Sequence, residues 1–481
     1  MTLVKRRLLS LAVLAAVVAL AWGLMVWQEG RGERARAEKE KHTAVFALAG
    51  PEGVKELLVK NNGTVVELVR NVAPAPQGWS ITKPIATAAD AVTVDALVRD
   101  LTELKRGRDL TQTANKKDED LVLFGLDKPR IEVTLTLSDG TSQSLTIGKK
   151  NSYDDTLYVK RAKEDHILVV PGGIFFQLDA DLYKLREKKI VGFETSAISK
   201  LSLTRASVPA YTLEKNGNDY QFSAPQKALA DETKIREILS SLTALRADKF
   251  VSETASAAEL GKYGLAPPCV VVSLEAGSAT NAVTVLLGTV KQGTTTHYYA
   301  TRQSSSPIME VSAENLLTLL RDDFAALRDK RVLHFDRDAV ASIVLQGETG
   351  AAIKAKRVDS TKDKPERWEL MEPVHAPADE LQISSLLFKL WDLKATRIVV
   401  EQAKEADYKA HGLNKPQRSV SLLNKDGVEL AALLIAGPQG DNQLVCARGT
   451  GPIGEADKSK VGEVSFALAD YQQDKPAESK K

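Results

Sequence analysis

The sequence predicts an α+β protein. It reads as three tandem homologous domains, each a mostly antiparallel sheet with a packed amphipathic helix, after one N-terminal transmembrane helix. Three observations predict it. An aromatic residue heads a run ending in proline three times: Trp79 to Pro84, Tyr220 to Pro225 and Trp368 to Pro373. An aspartate stands eleven residues after each aromatic, and an apolar series with offsets 0, 3, 4, 7 and 10 begins fifteen after it. Ahead of all three copies, residues 8–27 are an uncharged run of 20 residues rich in Leu, Ala and Val.

From the start of the chain, residues 1–7 read as a basic cytoplasmic tail with Lys5, Arg6 and Arg7. Residues 8–27 would span about 30 Å as a helix, the thickness of a hydrocarbon core. A cleavable signal peptide has a shorter apolar region, about 7–15 residues, and Trp22 and Trp27 suit an interface at the far end. Basic residues flank both ends, so the positive-inside count does not settle orientation. The short N-tail before a large polar portion reads as a signal anchor, which would export the bulk of the chain. Residues 28–43 are a charged spacer. Repeat domains follow at 44–190, 191–332 and 333–469, and 470–481 read as a disordered tail.

Each copy opens on a strand, at Val54, Ile198 and Val340, and the aromatic-to-proline run is a second short strand that the proline ends. Asp90, Asp231 and Asp379 are N-caps for the helices. Asp379 with Gln382 has capping-box spacing. The series Val94, Leu97, Val98, Leu101, Leu104 and its counterparts from Ile235 and Ile383 form one helical stripe of about three turns. A Gly-Leu pair follows each helix: Gly125–Leu126, Gly264–Leu265 and Gly412–Leu413. Period-two runs around Asp139–Gly140 and Asp426–Gly427 predict hairpins. Strands beginning at Leu145, Val285 and Leu434 are expected to end at Gly148, Gly288 and Gly437. A further strand carries Tyr158, Tyr299 or Val445. The joins between copies also match, residues 185–193 against 327–335; their basic clusters suit the ends of helices, where cations meet the last carbonyls.

Hydrophobic content of 43% allows real cores, and a net charge of +2 argues against a nucleic-acid partner. Cys269 and Cys446 stand at non-equivalent positions and read as small buried hydrophobes. The six histidines (His42, His166, His297, His334, His375 and His411) show no metalloprotease spacing. His411 takes the place of Phe124 and Tyr263, an aromatic slot rather than a ligand position. Gly288 to Thr294 has the glycine spacing of a phosphate loop without its lysine, and Asp154–Asp155 and Asp322–Asp323 do not recur between copies. The expectation is a non-catalytic protein with no catalytic, cofactor-binding or metal-ligating residues. Exposed sheet edges are the expected docking points.

The anchor, the aromatic-to-proline run, the Asp-capped helix, the Gly-Leu turn and the Leu-Arg-x-Lys joins together resemble the bacterial domain of unknown function 4340 family. The resemblance covers the chain beyond residue 44. Tyr220 in place of tryptophan and the altered turn at Ala266–Pro268 depart from the pattern while keeping its physical role. The resemblance implies a single-pass protein of a bacterial inner membrane with the bulk of the chain in the periplasm or extracytoplasmic space. It also implies an accessory role beside ABC-type or gliding-motility-type transport components, with inner-membrane transporter subunits as partners. The alternative is a cell-envelope module binding glycan or peptide, for which Tyr153, Tyr158, Tyr298 and Tyr299 are the candidate contacts.

Overall fold

A computed structural model describes residues 44–46, 50–72, 78–110, 118–206, 208–303, 305–358, 367–449 and 451–473. The expected basic tail, transmembrane anchor and spacer (1–43) lie outside the described residues, as does most of the expected C-terminal tail. Among the described residues no helix is long and apolar enough to cross a membrane.

Among the described residues three nine-stranded antiparallel sheets share one strand order. In the first, the strands are β1 (Val54–Asn61), β2 (Thr64–Arg70), β3 (Trp79–Lys83), β4 (Thr87–Ala88), β5 (Arg108–Asp109), β6 (Ile131–Leu137), β7 (Ser142–Asn151), β8 (Thr156–Arg161) and β9 (Ile167–Pro171). They lie in the order β4-β3-β2-β1-β6-β7-β8-β9-β5. Strands β4 and β5 are consecutive in sequence but sit at opposite edges. The helix between them, α1 (Ala91–Thr102), must therefore cross the whole sheet. That crossing is what buries its stripe. The described residues pack as two compact units, one drawn from those up to Glu194 with Leu242–Val271 and Val283–Glu314, the other from Thr195–Ser241, Val272–Ala282 and those from Asn315 onward. The second repeat contributes to both.

All fifteen residues of the three apolar series are buried, four of each on α1, Glu232–Ala244 or Glu380–Asp392. The fifth of each, Leu104, Leu245 and Leu393, lies past the helix end rather than on the helix as its spacing suggested. The chain turns there because the next residue forms a bridge: Lys105 with Ala44, Arg246 with Lys189 and Lys394 with Arg331. The three caps form as read. Asp90 accepts from Thr93 N at 3.1 Å, Asp231 from Thr233 N at 3.1 Å, and Asp379 from Leu381 N at 2.9 Å and Gln382 N at 3.1 Å. The return half of the Gln382 box is displaced: the Asp379 amide donates instead to Tyr471 O at 2.9 Å.

Two strand expectations need correction. None of the three glycines ends its strand: Gly148 lies inside β7, Gly288 inside Ser278–Gln292 and Gly437 inside Glu429–Gln439. A Cβ on Gly148 would meet Phe124 O at 2.4 Å, and one on Gly288 would meet Gly264 O at 2.4 Å. Glycine is needed there because the Gly-Leu turn lies directly on the strand. In the third repeat the matching residue is not Gly437. Ile147 pairs with Ile131 and Ile435 with Arg418, and the strands β6 and Arg418–Leu423 are in register on their other side. Ala436 therefore takes the Gly148 position, and the strand read from Leu434 slips by one.

Alternate residues of Glu429–Gln439 point to different cores: Leu433 and Ile435 join the helix side, while Leu434 and Ala436 join a smaller core with Leu413, Leu444 and Cys446. The second face is thus covered too, by the short helix Glu405–Ala410 and the Gly-Leu turn. In the second repeat Leu265, Tyr299 and Ile308 form the same small core with Leu260 and Tyr263. Position 124, 263 or 411 is half-buried beside it, as the Phe/Tyr/His exchange suggested. Phe124 meets Tyr158 with ring centroids 4.5 Å apart, and Tyr263 meets Tyr299 at 4.8 Å.

Candidate interaction sites at the joins between repeats

Each join begins as a single turn of helix. Leu182–Leu185 is capped by Asp181, which accepts from Lys184 N at 2.8 Å, and Phe324–Leu327 by Asp323, which accepts from Ala326 N at 2.9 Å. The strap that follows is stitched to two repeats. Asp90 N donates to Leu185 O and Glu187 N to Ala88 O in its own repeat; Ile190 N donates to Leu245 O, and Ala247 N to Lys188 O, in the next. The second strap makes the same four bonds through Asp231 to Leu327 O, Asp329 to Leu229 O, Val332 to Leu393 O and Ala395 to Lys330 O. Lys188 Nζ lies within 3.1 Å of the carbonyls of Tyr183, Lys184 and Arg186, the helix-end role read from the sequence. Burial pushes its pKa down.

A buried arginine locks each strap. Arg186 is 3% exposed and donates twice to Glu253, at 2.7 and 2.9 Å. Its guanidinium lies 3.7 Å over the Phe250 ring, and Tyr183 meets that ring edge-on while donating to Ala247 O at 3.1 Å. Arg328 occupies the same place in the second join, 7% exposed, and pairs with Glu401. Next to it Asp329 collects the Arg331 amide at 2.9 Å, the Arg331 guanidinium at 2.6 Å and His334 Nε2 at 3.1 Å. Burial works against this carboxylate, yet the bonds from His334 and Arg331 hold it well below the usual carboxylate range. A cleft of about 280 Å³ at the first join is lined by Thr87, Arg186, Glu187, Phe250 and Arg302. Its guanidinium groups are already committed, Arg186 to Glu253 and Arg302 to the carbonyls of Lys189 and Ile190. This chemistry fastens protein to protein.

The third repeat keeps the backbone and drops the lock. Asp379 N donates to Tyr471 O, and Ala378 bridges Gln472 as Ala89 bridges Arg186 and Ala230 bridges Arg328. Gln472 is exposed. Glu253 and Glu401 stand seven residues after Arg246 and Lys394; seven after Lys105 the sequence has Gln112, outside the described residues. The Leu-Arg-x-Lys likeness was visible in the sequence, but its glutamate partners were not singled out, although this constant spacing marks them.

Residues weighed for chemistry serve local structure. His166 faces Asp109 at 3.2 Å, His297 faces Glu310 at 2.8 Å and His334 faces Asp329. Asp155 pairs with Lys150, Asp322 with Lys234, and Asp323 is a cap. Among the described residues no group of three His, Cys, Asp or Glu could hold a metal ion. Gly288 is in a strand and Gly293 in a hairpin turn. Both cysteines are free thiols; burial pushes Cys446 up to about 12 and raises Cys269, which suits packing rather than nucleophilic attack. Of the four tyrosines, Tyr153 is exposed on a turn, Tyr158 packs on Phe124, Tyr298 is half-buried and Tyr299 is buried. The edge strands are short, two residues in β4, Ala228–Leu229, Ala376–Pro377 and β5, and six and four in Ala247–Ser252 and Arg397–Val400.

The sequence model of a domain of unknown function, DUF4340, matches residues 79–259, 221–367 and 368–478. The chain belongs to the DUF4340 family. The three DUF4340 matches begin at or beside Trp79, Tyr220 and Trp368, the aromatic heads of the three repeats, and the arginine locks lie inside the matched residues. No curated protein matches the chain.

Proposed function

We propose that this DUF4340 protein is a non-catalytic, membrane-anchored extracytoplasmic scaffold that binds components of an ABC-type transport complex. The observation that carries the reading is the pair of buried arginine locks, Arg186–Glu253 and Arg328–Glu401. They commit two buried guanidinium groups to holding one repeat against the next, which a scaffold needs and a free linker would not provide. The uncharged run 8–27 supplies the anchor. Cross-linking in mild detergent tests it. Permease and ATPase subunits captured through residues 1–60 or the repeats are the expected result; capture of cell-wall fragments alone would overturn it. A reporter fused after Lys481 and active only in the cytosol would sink the exported topology. A second reading, a cell-envelope module binding peptide or glycan without a transporter partner, is favoured by one open cleft of about 300 Å³ in the second repeat, beside Tyr220.

A further inference from the structure

That cleft coincides with a slot the other repeats fill with their own side chains. In the first repeat Trp79 is 2% exposed, Arg70 lies 4.5 Å over its ring, and its Nε1 donates to Asp95 at 2.8 Å. Asp95 also faces Arg70 at 3.5 Å, so the cation of this slot has its anion. In the third repeat Trp368 is 8% exposed, with Arg357 5.4 Å over its ring. The strand register puts Lys215 opposite Tyr220 just as Arg70 stands opposite Trp79 and Arg357 opposite Trp368. The second repeat therefore has tyrosine for tryptophan and lysine for arginine. Five residues beyond the helix cap, where the first repeat has Asp95, the second has Arg236.

The consequences are steric and electrostatic. Tyr220 donates to Ile198 O at 2.6 Å and stays half-buried, and the cleft opens between it, Leu239, Lys215, Asn218 and Arg236. Lys215 donates to Ser196 O, while Arg236 pairs with Glu232 on its own helix. The floor is an aromatic ring and a leucine, and the rim has two cations and one anion. Relative to the first repeat it lacks one indole and one carboxylate.

We propose that this cleft takes an aromatic side chain of a partner polypeptide, flanked by an acidic residue that meets Lys215 and Arg236. The ring replaces the missing indole and the carboxylate replaces Asp95. A cleft this size sits at the lower limit for a free ligand, about 300 Å³, and suits one side chain of a larger partner. The inference deepens the binding part of the proposed function and rests on it. Loss of the peptide effect with transporter subunits still captured would sink the cleft alone.

The test is titration of the full-length protein with the blocked tripeptide Glu-Trp-Glu, followed by calorimetry. Saturable binding is expected, weakened at least about tenfold by Tyr220→Trp, which fills the slot as the other repeats do, and by Arg236→Asp. Glu-Ala-Glu should not bind. Arg236 is a surface residue with its side chain 71% exposed, so that variant keeps the test alive if Tyr220→Trp does not fold. No binding to the wild-type protein, equal binding by either folded variant, or equal binding of Glu-Ala-Glu would overturn the proposal. So would N-acetyltryptophan binding as tightly as the peptide, which would make this a small-molecule site.

Discussion

Arg186 in the first repeat and Gln472 in the third follow short helical turns that dock on their own sheets through the same backbone bonds, yet the arginine is 3% exposed and the glutamine lies in solvent. The backbone stitch therefore belongs to the repeat, and the buried ion pair belongs to the join. A guanidinium taken out of water without its counter-ion costs several kcal/mol, so an arginine is stable there only where a neighbouring repeat supplies glutamate and an aromatic face. Where that neighbour is not part of the contact, an uncharged side chain avoids the cost. The two joins differ in a second way. Glu187 accepts the Lys189 amide at 2.7 Å, whereas Asp329 at the same place is wrapped by Arg331 and His334.

The largest expected effect breaks the lock. Arg186→Ala should destabilise the first unit by about 2–4 kcal/mol, since it removes a bidentate pair and a stacked cation and leaves a cavity. The loss is tempered because Glu253 remains 46% exposed. Urea unfolding would read it, and a change below about 0.5 kcal/mol would deny the lock its role. Next, Asp329 carries a depressed carboxyl, so its contribution is complete above the unfolded value near 4 and is lost as pH falls from there toward the folded value. Asp329→Asn should cost about 2 kcal/mol at pH 7 and progressively less as pH falls below about 4. An unchanged cost across that range would show that the charge is not what the wrapping stabilises.

A smaller difference separates two caps. Asp90→Ala and Asp379→Ala should each cost about 1 kcal/mol through the lost N-cap. Asp90 should cost a few tenths more, because it also faces Arg246 at 3.4 Å and Lys188 at 3.9 Å. Equal melting shifts would mean that the join leaves this cap alone. The smallest effect tests the other side of the comparison: Gln472→Arg should stay within about 0.5 kcal/mol of the parent, as exposed substitutions do. A gain above about 1 kcal/mol would reveal a carboxylate partner within reach of that position.

Much of the fold was legible because it is written in short-range periodicity. The stripe from Val94 to Leu101 and its two counterparts need only 3.6 residues per turn, and the caps at Asp90, Asp231 and Asp379 need only the three residues that follow. Gly148 and Gly437 show where such reading stops. Their local sequences look alike, but the pairing of Ile147 with Ile131 and of Ile435 with Arg418 sets them one residue apart. Register is a property of two strands, and a slip of one exchanges the faces. The locks were half visible: Arg186 stood out in a repeated motif, while Glu253 is 67 residues away in another repeat.

The sequence by itself determined the threefold repetition, the helices with their caps, the strands headed by Trp79, Tyr220 and Trp368, and the uncharged run 8–27. Each depends on contacts within a few residues of chain, where spacing is already geometry. Only the tertiary structure decided that the helix crosses the sheet from β4 to β5, that a second small core covers the opposite face, and that Arg186 and Arg328 are buried against the next repeat. It also decided that the exchange of Trp79 for Tyr220 and of Asp95 for Arg236 opens one cleft. Those outcomes turn on which distant side chains share a space and which charges find a partner there, and no local pattern encodes either.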